Sequence, residues 1–328
     1  MDEVPTPRPG RGEVSIRVHA AGLNPVDLNI AQGRARLLVA LELPIVVGSE
    51  AAGTVEEIGP DVQRFAPGDR VFVRTAFDKL GAFADVLTTD ETLVAAVPDN
   101  LPLHEAAVMP TAALTALQAL RDSLSLHAGM RILITGGAGG VGTFAIQMAK
   151  IMGAHVTTTA SPRGKYLVRS LGADEVVDYT TERICDLSAD QDVVLDLVGG
   201  RTLEEAFRVV KPGGKIASIA GIPDAESARN VGAGLAATTM FRVLNARRHQ
   251  LARRAGVTYR FVFVRPNGAD LAELARYASE DGLRAVLDRE YSFDRIDEAL
   301  SYVKTGRAKG KVAVRMAPDP HNAGLRTY

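Results

Sequence analysis

The stretch with the clearest chemical meaning is a glycine-rich turn that lies between a β-rich apolar run and a helical pattern. The apolar run covers residues 131–135, and apolar residues then recur at helical spacing as far as Gly153. The turn itself reads Gly136-Gly137-Ala138-Gly139-Gly140-Val141-Gly142. A strand, a glycine turn and a helix in this order are typical of a loop that binds phosphate groups.

Within the turn, Gly137-x-Gly139-x-x-Gly142 fits a dinucleotide-binding fingerprint. In that fingerprint the first glycine makes a tight turn, the second admits a pyrophosphate, and the third lets the helix pack on the sheet. Gly140 and Val141 open the helix, whose free N–H groups attract negative charge. We expect all five residues to bind the cofactor. A glycine turn in another kind of α/β protein is the alternative, which the flanking patterns disfavour.

The loop after the next expected strand indicates which nicotinamide cofactor is used. An NAD site needs an acidic residue there to hold the ribose hydroxyls, and residues 157–165 contain none. They offer a hydroxyl and two cations instead, namely Ser161, Arg163 and Lys165. These groups suit a 2′-phosphate, so we predict NADPH. The alternative is that the two cations are solvated charges in the first turn of a helix.

The surrounding pattern changes along the chain. Residues 1–100 carry short alternating runs and frequent turns, including an expected strand over 81–86, and favour a compact β-barrel-like module. A helix is expected over 103–122, followed by alternating strands and helices, which indicates a parallel sheet. The expected strands of that sheet are 131–135, 155–159, 175–178, 192–197, 215–220 and 259–264.

Composition limits the functional class. The 328 residues suggest two domains, and the formal net charge of −1 gives no general attraction to nucleic acid or acidic membranes. One cysteine, Cys185, excludes a disulfide framework or a cysteine-rich metal site. The acidic, proline-rich start is unlike a signal peptide. We expect a cytoplasmic enzyme with no nucleic-acid or membrane partner.

Several ordered motifs carry a family resemblance. They are Asn24-Pro25-Val26-Asp27, Gly48-Ser49-Glu50, Gly68-Asp69-Arg70-Val71, the turn at 136–142, Leu171-Gly172-Ala173-Asp174 and Gly310-Lys311-Val312. Through them the chain resembles the medium-chain dehydrogenase/reductase superfamily, and within it the zinc-free NADPH-dependent quinone oxidoreductases. The resemblance implies an α/β fold in two parts. A GroES-like β-barrel-type catalytic domain would cover 1–101 and 265–328, and a Rossmann doubly wound parallel sheet would cover 102–264.

The resemblance also assigns site residues. It places Asn24, Asp27 and Thr115 at the nicotinamide and substrate, although Thr115 is equally typical of a threonine packed in a helix. Further cofactor contacts are expected at the ends of the strands of the parallel sheet, and Lys311 is expected to approach the cofactor from the C-terminal segment. These expected contacts are Tyr179, Val198, Gly199, Ala220, Gly221, Phe263 and Val264. Arginines 242, 247, 248, 253 and 254 are interpreted as a solvated helix face, and binding of an anionic substrate is the alternative.

Metal chemistry is disfavoured by the residue types. Zinc-dependent relatives hold ligands where this chain has Asn24 and Ser49, and catalytic zinc needs three good ligands. We therefore predict no metal site. Without a Lewis acid, a substrate must accept hydride readily, which favours a quinone or an α,β-unsaturated carbonyl.

Two other functions stay open. An enoyl-thioester reductase of this fold would carry a tyrosine where this chain has Ala35, and a catalytically silent NADPH-binding protein would share the cofactor site. The resemblance also implies a homodimer through the sixth Rossmann strand, because an apolar edge strand left unpaired promotes aggregation.

Overall fold

The computed structural model describes residues 4–33, 44–187, 190–224, 229 and 234–316. Its contacts divide the chain into two compact units. The first takes the described residues up to Leu114 and those from Pro266 onwards, and the second runs from Thr115 to Arg265. The chain therefore leaves the first unit and returns to it.

The first unit is built on a mainly antiparallel sheet. Among the described residues the strand order is β12-β13-β1-β2-β3-β5, with β4 also paired to β1. Valines and isoleucines alternate along the long first strand and are fully buried, so this strand lies at the centre of the core. The strands are β1 (Glu13–Leu23), β2 (Glu50–Ile58), β3 (Arg70–Arg74), β4 (Val86–Asp90), β5 (Val94–Ala96), β12 (Leu287–Ser292) and β13 (Lys311–Arg315).

Short helices connect and cover this sheet. Pro25 follows the extended Asn24 and fixes the first turn of the first helix. The helices of this unit are α1 (Pro25–Ala31), α2 (Leu103–Ala106), α9 (Gly268–Glu280) and α10 (Ile296–Lys304), and the unit boundary falls inside α3 (Pro110–Gln118). The strand β13 pairs with β1 from Ala20↔Arg315 to Leu23↔Val312, so Lys311 lies beside the end of β1.

The second unit is a parallel sheet with the order β11-β10-β9-β6-β7-β8. The strands β6, β7 and β8 form one half of the sheet, and β9, β10 and β11 form the other. This is the Rossmann order, and the direction in which the strands are added reverses between β6 and β9. The strands are β6 (Arg131–Ile134), β7 (His155–Ala160), β8 (Glu175–Asp178), β9 (Gln191–Asp196), β10 (Val210–Ser218) and β11 (Thr258–Phe261). The remaining helices are α4 (Gly140–Ile151), α5 (Pro162–Ser170), α6 (Gly200–Ala206), α7 (Leu235–Leu244) and α8 (Ala246–Ala255).

The fold class is confirmed, and three local expectations are corrected. The helix expected over 103–122 is divided, because Pro110 begins a new α-helix, and a π-helical segment, Ala119–Ser123, follows that helix. Residues 102–114 group with the first unit, whereas the sequence boundary placed them in the Rossmann part. The strand expected over 81–86 lies instead at Val86–Asp90. No helix of the described residues is long and apolar enough to cross a membrane.

Candidate functional site

The first unit holds a buried ionic cluster at the end of β1. Asn24 Nδ2 donates to Glu50 Oε1 over 2.7 Å. Lys311 Nζ donates to the same Glu50 oxygen over 2.8 Å, to Asn24 Oδ1, and to the Leu23 carbonyl over 3.3 Å. The side chains of Lys311 and Glu50 are 4% and 0% exposed. Lys311 thus uses its three donors inside this cluster.

The Glu50 carboxylate of this cluster lies in a closely packed position beside Gly22. The second oxygen of Glu50 accepts the Thr111 backbone N–H over 2.6 Å. A Cβ at Gly22 would lie 2.1 Å from Glu50 Oε1, so only glycine leaves space for this carboxylate. Glu50 is therefore held by three donors from three separate segments, and its charge is paired with that of Lys311.

Asp27 lies in the same region and has fewer hydrogen bonds than Glu50. Its Oδ2 accepts the Asn24 backbone N–H over 2.8 Å. Burial raises the pKa of Asp27 to about 6, and the Arg74 charge opposes that rise. The nearby Ser49 hydroxyl also counteracts the rise in the pKa of Asp27. Asp27 Oδ1 and Ser49 Oγ are both buried and have no hydrogen-bond partner among the described residues. Asp27 orients the Asn24 backbone and is 1% exposed.

Arg74 completes the cluster from β3. Its side chain is fully buried, and its Nη1 donates to the carbonyls of Ser49 and Thr75 over 3.2 and 2.7 Å. The guanidinium lies 4.5 Å from the Phe77 ring centroid. Burial lowers its pKa from the ordinary value. The sequence signal for Arg74 is a charged residue that directly follows the apolar run Val71-Phe72-Val73.

This cluster orients Asn24 and does not suit zinc. Both polar atoms of the Asn24 amide are engaged, which leaves one N–H for another partner. Asn24 and Ser49 offer an amide and a hydroxyl, which are poor zinc ligands. The nearby carboxylates already accept hydrogen bonds. Within the described part of the chain, no group of three histidine, cysteine or acidic side chains is placed to hold a metal ion.

The glycine turn of the second unit is closely packed at two of its glycines and open at a third. A Cβ at Gly137 would lie 2.1 Å from Thr158 Oγ1, and one at Gly142 would lie 2.5 Å from the Gly136 carbonyl. These two glycines are required by packing within the unit. A Cβ at Gly139 would meet nothing closer than 3.4 Å, so its open face is available to a ligand. Gly139 caps α4, whose first N–H groups at Gly140 and Val141 face the same turn.

The loop after β7 places the two expected cations at the surface. Ser161 caps α5 without a side-chain hydrogen bond, and Arg163 and Lys165 are exposed. Neither cation forms a salt bridge with a described residue. The hydroxyl of Thr180 lowers the pKa of Asp178 below its ordinary value, and the Lys165 charge adds to this effect. Tyr179 follows β8 and is 61% exposed.

The carboxyl ends of the central strands meet at a buried carboxylate, Asp196. Its Oδ1 accepts Thr135 Oγ1 over 3.0 Å, its Oδ2 accepts Ser218 Oγ over 2.7 Å, and the Gly199 N–H reaches both oxygens at 3.0 and 3.1 Å. Asp196 therefore ties together the three segments that follow β6, β9 and β10. The sequence analysis missed it, although an acidic residue that ends a buried strand before Val198 and Gly199 is a detectable signal.

Other expected contacts have mixed outcomes. Ala220 N–H donates to Ser218 Oγ over 3.2 Å, and Gly221 has a φ of 99°. Phe263 and Val264 are half-buried, and the segment behind them is fixed because Gln118 exchanges two hydrogen bonds with the Arg265 backbone. Thr115 is 6% exposed in α3. Lys311, expected to approach the cofactor, lies in the first unit's ionic cluster, where it contacts Asn24.

The arginine-rich segment is not uniform. Arg247 pairs with Glu204 at 3.0 Å, whereas Arg248 is half-buried and donates to Asn245 Oδ1 over 2.7 Å. The arginines at 242, 253 and 254 are exposed, as expected of a solvated face.

Three tyrosines of the described chain after Pro266 lie in the first unit. Tyr302 donates to Asp288 over 2.5 Å and Tyr277 to Glu273 over 3.0 Å, while Tyr291 accepts from Arg289. Each of these hydroxyls therefore already has a local partner. Ala35 lies outside the described residues.

Comparison with known proteins identifies the family. Two family models match, an alcohol dehydrogenase GroES-like domain over residues 10–99 and a zinc-binding dehydrogenase domain over residues 171–314. The chain belongs to the medium-chain dehydrogenase/reductase superfamily and, within it, to the quinone oxidoreductase-like family. As in other members, its nucleotide-binding part serves a nicotinamide cofactor.

Individual relatives cover almost the whole chain. It is 36% identical to the mitochondrial NAD(P)H oxidoreductase RTN4IP1 of Danio rerio over 94% of this chain and 84% of that protein. It is 35% identical to 2-methylene-furan-3-one reductase of Solanum lycopersicum, over 93% and 72%. The solved quinone oxidoreductase of Coxiella burnetii matches with a TM-score of 0.82 at 30% identity, over 95% and 93%.

Proposed function

We propose that this protein is a zinc-independent reductase that transfers hydride from NADPH to a quinone or an α,β-unsaturated carbonyl compound. The observation that carries the proposal is the cluster around Asn24. At the two positions where zinc-dependent members hold ligands, this chain has an amide, already bound by Glu50 and Lys311, and the Ser49 hydroxyl. Because these two residues replace zinc ligands, we infer that the substrate accepts hydride without a Lewis acid.

Known relatives support the substrate class. The Coxiella protein is named a quinone oxidoreductase. The tomato protein is named for a furanone with a methylene group beside its ketone, which is an α,β-unsaturated carbonyl. In both classes the product of hydride addition is an anion stabilised by its own conjugation.

The chain's own residues have separable tasks in this proposal. NADPH supplies the hydride when it is bound. Gly139 and the first N–H groups of α4 bind the pyrophosphate, and Arg163 with Lys165 binds the 2′-phosphate. Asn24 presents its remaining N–H to a carbonyl group, since its other amide contacts fix its orientation. Asp27 orients Asn24 and is a positioning residue.

NADPH, rather than NADH, is part of the proposal. The loop after β7 lacks an acidic residue, and its two cations are exposed without a salt-bridge partner in the described chain. Because neither cation forms a salt bridge with a described residue, a 2′-phosphate can contact both without displacing such a partner.

We also propose a homodimer. The strand β11 is an edge of the parallel sheet and pairs only with β10 among the described residues. Pairing with the same strand of a second copy would cover its open edge.

The function is tested by following NADPH oxidation with quinones, enones and enoyl thioesters in parallel. Turnover with quinones or enones is the expected result. Firm NADPH binding with no turnover across the panel would contradict the proposal and would support a catalytically silent binding protein.

A further inference from the structure

We propose that Asp196 is a positioning residue for the nicotinamide cofactor, acting through the backbone turns that it holds. The inference rests on the proposed function only in using NADPH as the ligand. Asp196 is fully buried, yet no basic side chain among the described residues pairs with it. Its oxygens accept hydrogen bonds from neutral donors, namely the hydroxyls of Thr135 and Ser218 and the backbone N–H groups of Val198 and Gly199. A buried carboxylate held in this way binds its donors strongly.

Those donors belong to the segments that line the cofactor edge. Thr135 precedes the glycine turn and accepts the Leu197 N–H over 2.9 Å, so it links the end of β6 to the segment after β9. Ser218 passes the link to the Ala220 turn, whose N–H it accepts over 3.2 Å. The crevice between β6 and β9 is where the strand order reverses, and dinucleotides bind at this point of an open parallel sheet. One side chain therefore sets the relative positions of three turns at that crevice.

Asp196 is distinguished from an ordinary stabilising acid by a matched residue on the same strand. Asp192 lies near the opposite end of β9, where it accepts the Arg131 backbone N–H over 2.7 Å and Lys211 Nζ over 2.8 Å. Asp196 accepts two backbone and two side-chain donors, and Asp192 accepts one of each. Asp196 stands at the cofactor edge and Asp192 at the opposite end of the strand, so the thermal unfolding midpoint of each variant separates a loss of stability from a loss of cofactor binding.

The experiment compares Asp196→Asn with Asp192→Asn, using the Kd for NADPH from fluorescence titration and the thermal unfolding midpoint without cofactor. An amide would turn an NH₂ group toward the Ser218 or Gly199 donor, and we expect Asp196→Asn to raise the Kd about tenfold. We expect Asp192→Asn to leave the Kd unchanged. A rise of less than threefold in Asp196→Asn, or an equal rise in Asp192→Asn, overturns the inference.

A second pair keeps the test decisive if Asp196→Asn does not fold. Thr135→Val keeps the shape but removes the hydroxyl, and Thr135→Ser keeps the hydroxyl. We expect Thr135→Val to raise the Kd at least threefold and Thr135→Ser to stay near wild type. Equal Kd values for the two variants contradict the inference, whereas a wild-type protein that does not bind NADPH contradicts the proposed function itself.

Discussion

Removing the two exposed cations of the loop after β7 should abolish the preference for NADPH. Arg163 and Lys165 form no salt bridge with a described residue, so Arg163→Ala with Lys165→Ala breaks no ion pair of the fold. At exposed positions each contact to a 2′-phosphate contributes about 1 kcal/mol. Together they contribute about 2 kcal/mol, which is a ratio of about 30 between NADPH and NADH.

The assay is the ratio of KM for NADH to KM for NADPH, measured with one quinone at saturating concentration. We expect a ratio of about 30 in the wild type and about 1 in the double variant. Arg169→Ala is the matched control, because Arg169 is an exposed arginine in the last turn of the same helix. It should leave the ratio unchanged.

Salt provides an independent check on the same reasoning. Exposed charges are screened within about 10 Å at 0.1 M salt and within about 3 Å at 1 M. The NADPH preference of the wild type should therefore fall as salt rises, and the double variant should show no such fall. Equal KM values for the two cofactors in the wild type, or a preference that survives the double substitution, would refute this account of the loop.

Three further predictions concern stability and assembly. Lys311→Met leaves the Glu50 carboxylate buried without its charged partner, and it should reduce the free energy of unfolding by about 3–5 kcal/mol. In urea unfolding, Lys311→Met combined with Glu50→Gln should lose less stability than the two single changes added together, and additive losses would contradict a coupled pair. The pKa of Asp27 is raised to about 6 in the folded protein, so the folded state binds more protons than the unfolded state. Stability should therefore fall as pH rises from about 4 to about 6. Asp27→Asn should flatten the dependence of the thermal unfolding midpoint on pH in this range, and an unchanged dependence would argue against a buried, protonatable Asp27. Light scattering at micromolar concentration should give the mass of a homodimer, and a monomer would count against pairing through β11.

The sequence predicted the parts of the fold that repeat a simple pattern. The glycine turn was identifiable because strand, turn and helix patterns follow one another, and β8 was placed with the bounds that the structure has. The break at Pro110 was missed because residues on both sides are apolar and helical in type. A proline at a first helical turn was the available signal.

The candidate site was less accessible to sequence reasoning. Lys311 and Glu50 are separated by 261 positions, and nothing local indicates that they meet. Their encounter depends on the pairing of β13 with β1. Asp196 was passed over for a related reason. Its donors at Thr135 and Ser218 come from two other strands, so its importance is visible only when the sheet order is known.

The most direct test of zinc-free quinone or enone reduction measures kcat/KM with NADPH for a simple quinone and for a crotonyl thioester. Both values are measured before and after treatment with a chelator, and the zinc content of the protein is determined as well. A thioester enolate is basic and benefits from a positioned acid. The three tyrosines of the described first unit are already hydrogen-bonded elsewhere. We expect the quinone to be favoured by about tenfold or more, with activity unchanged by the chelator and no stoichiometric zinc. One firmly bound zinc per chain, with activity lost on its removal, would contradict the account, as would a thioester reduced as fast as the quinone.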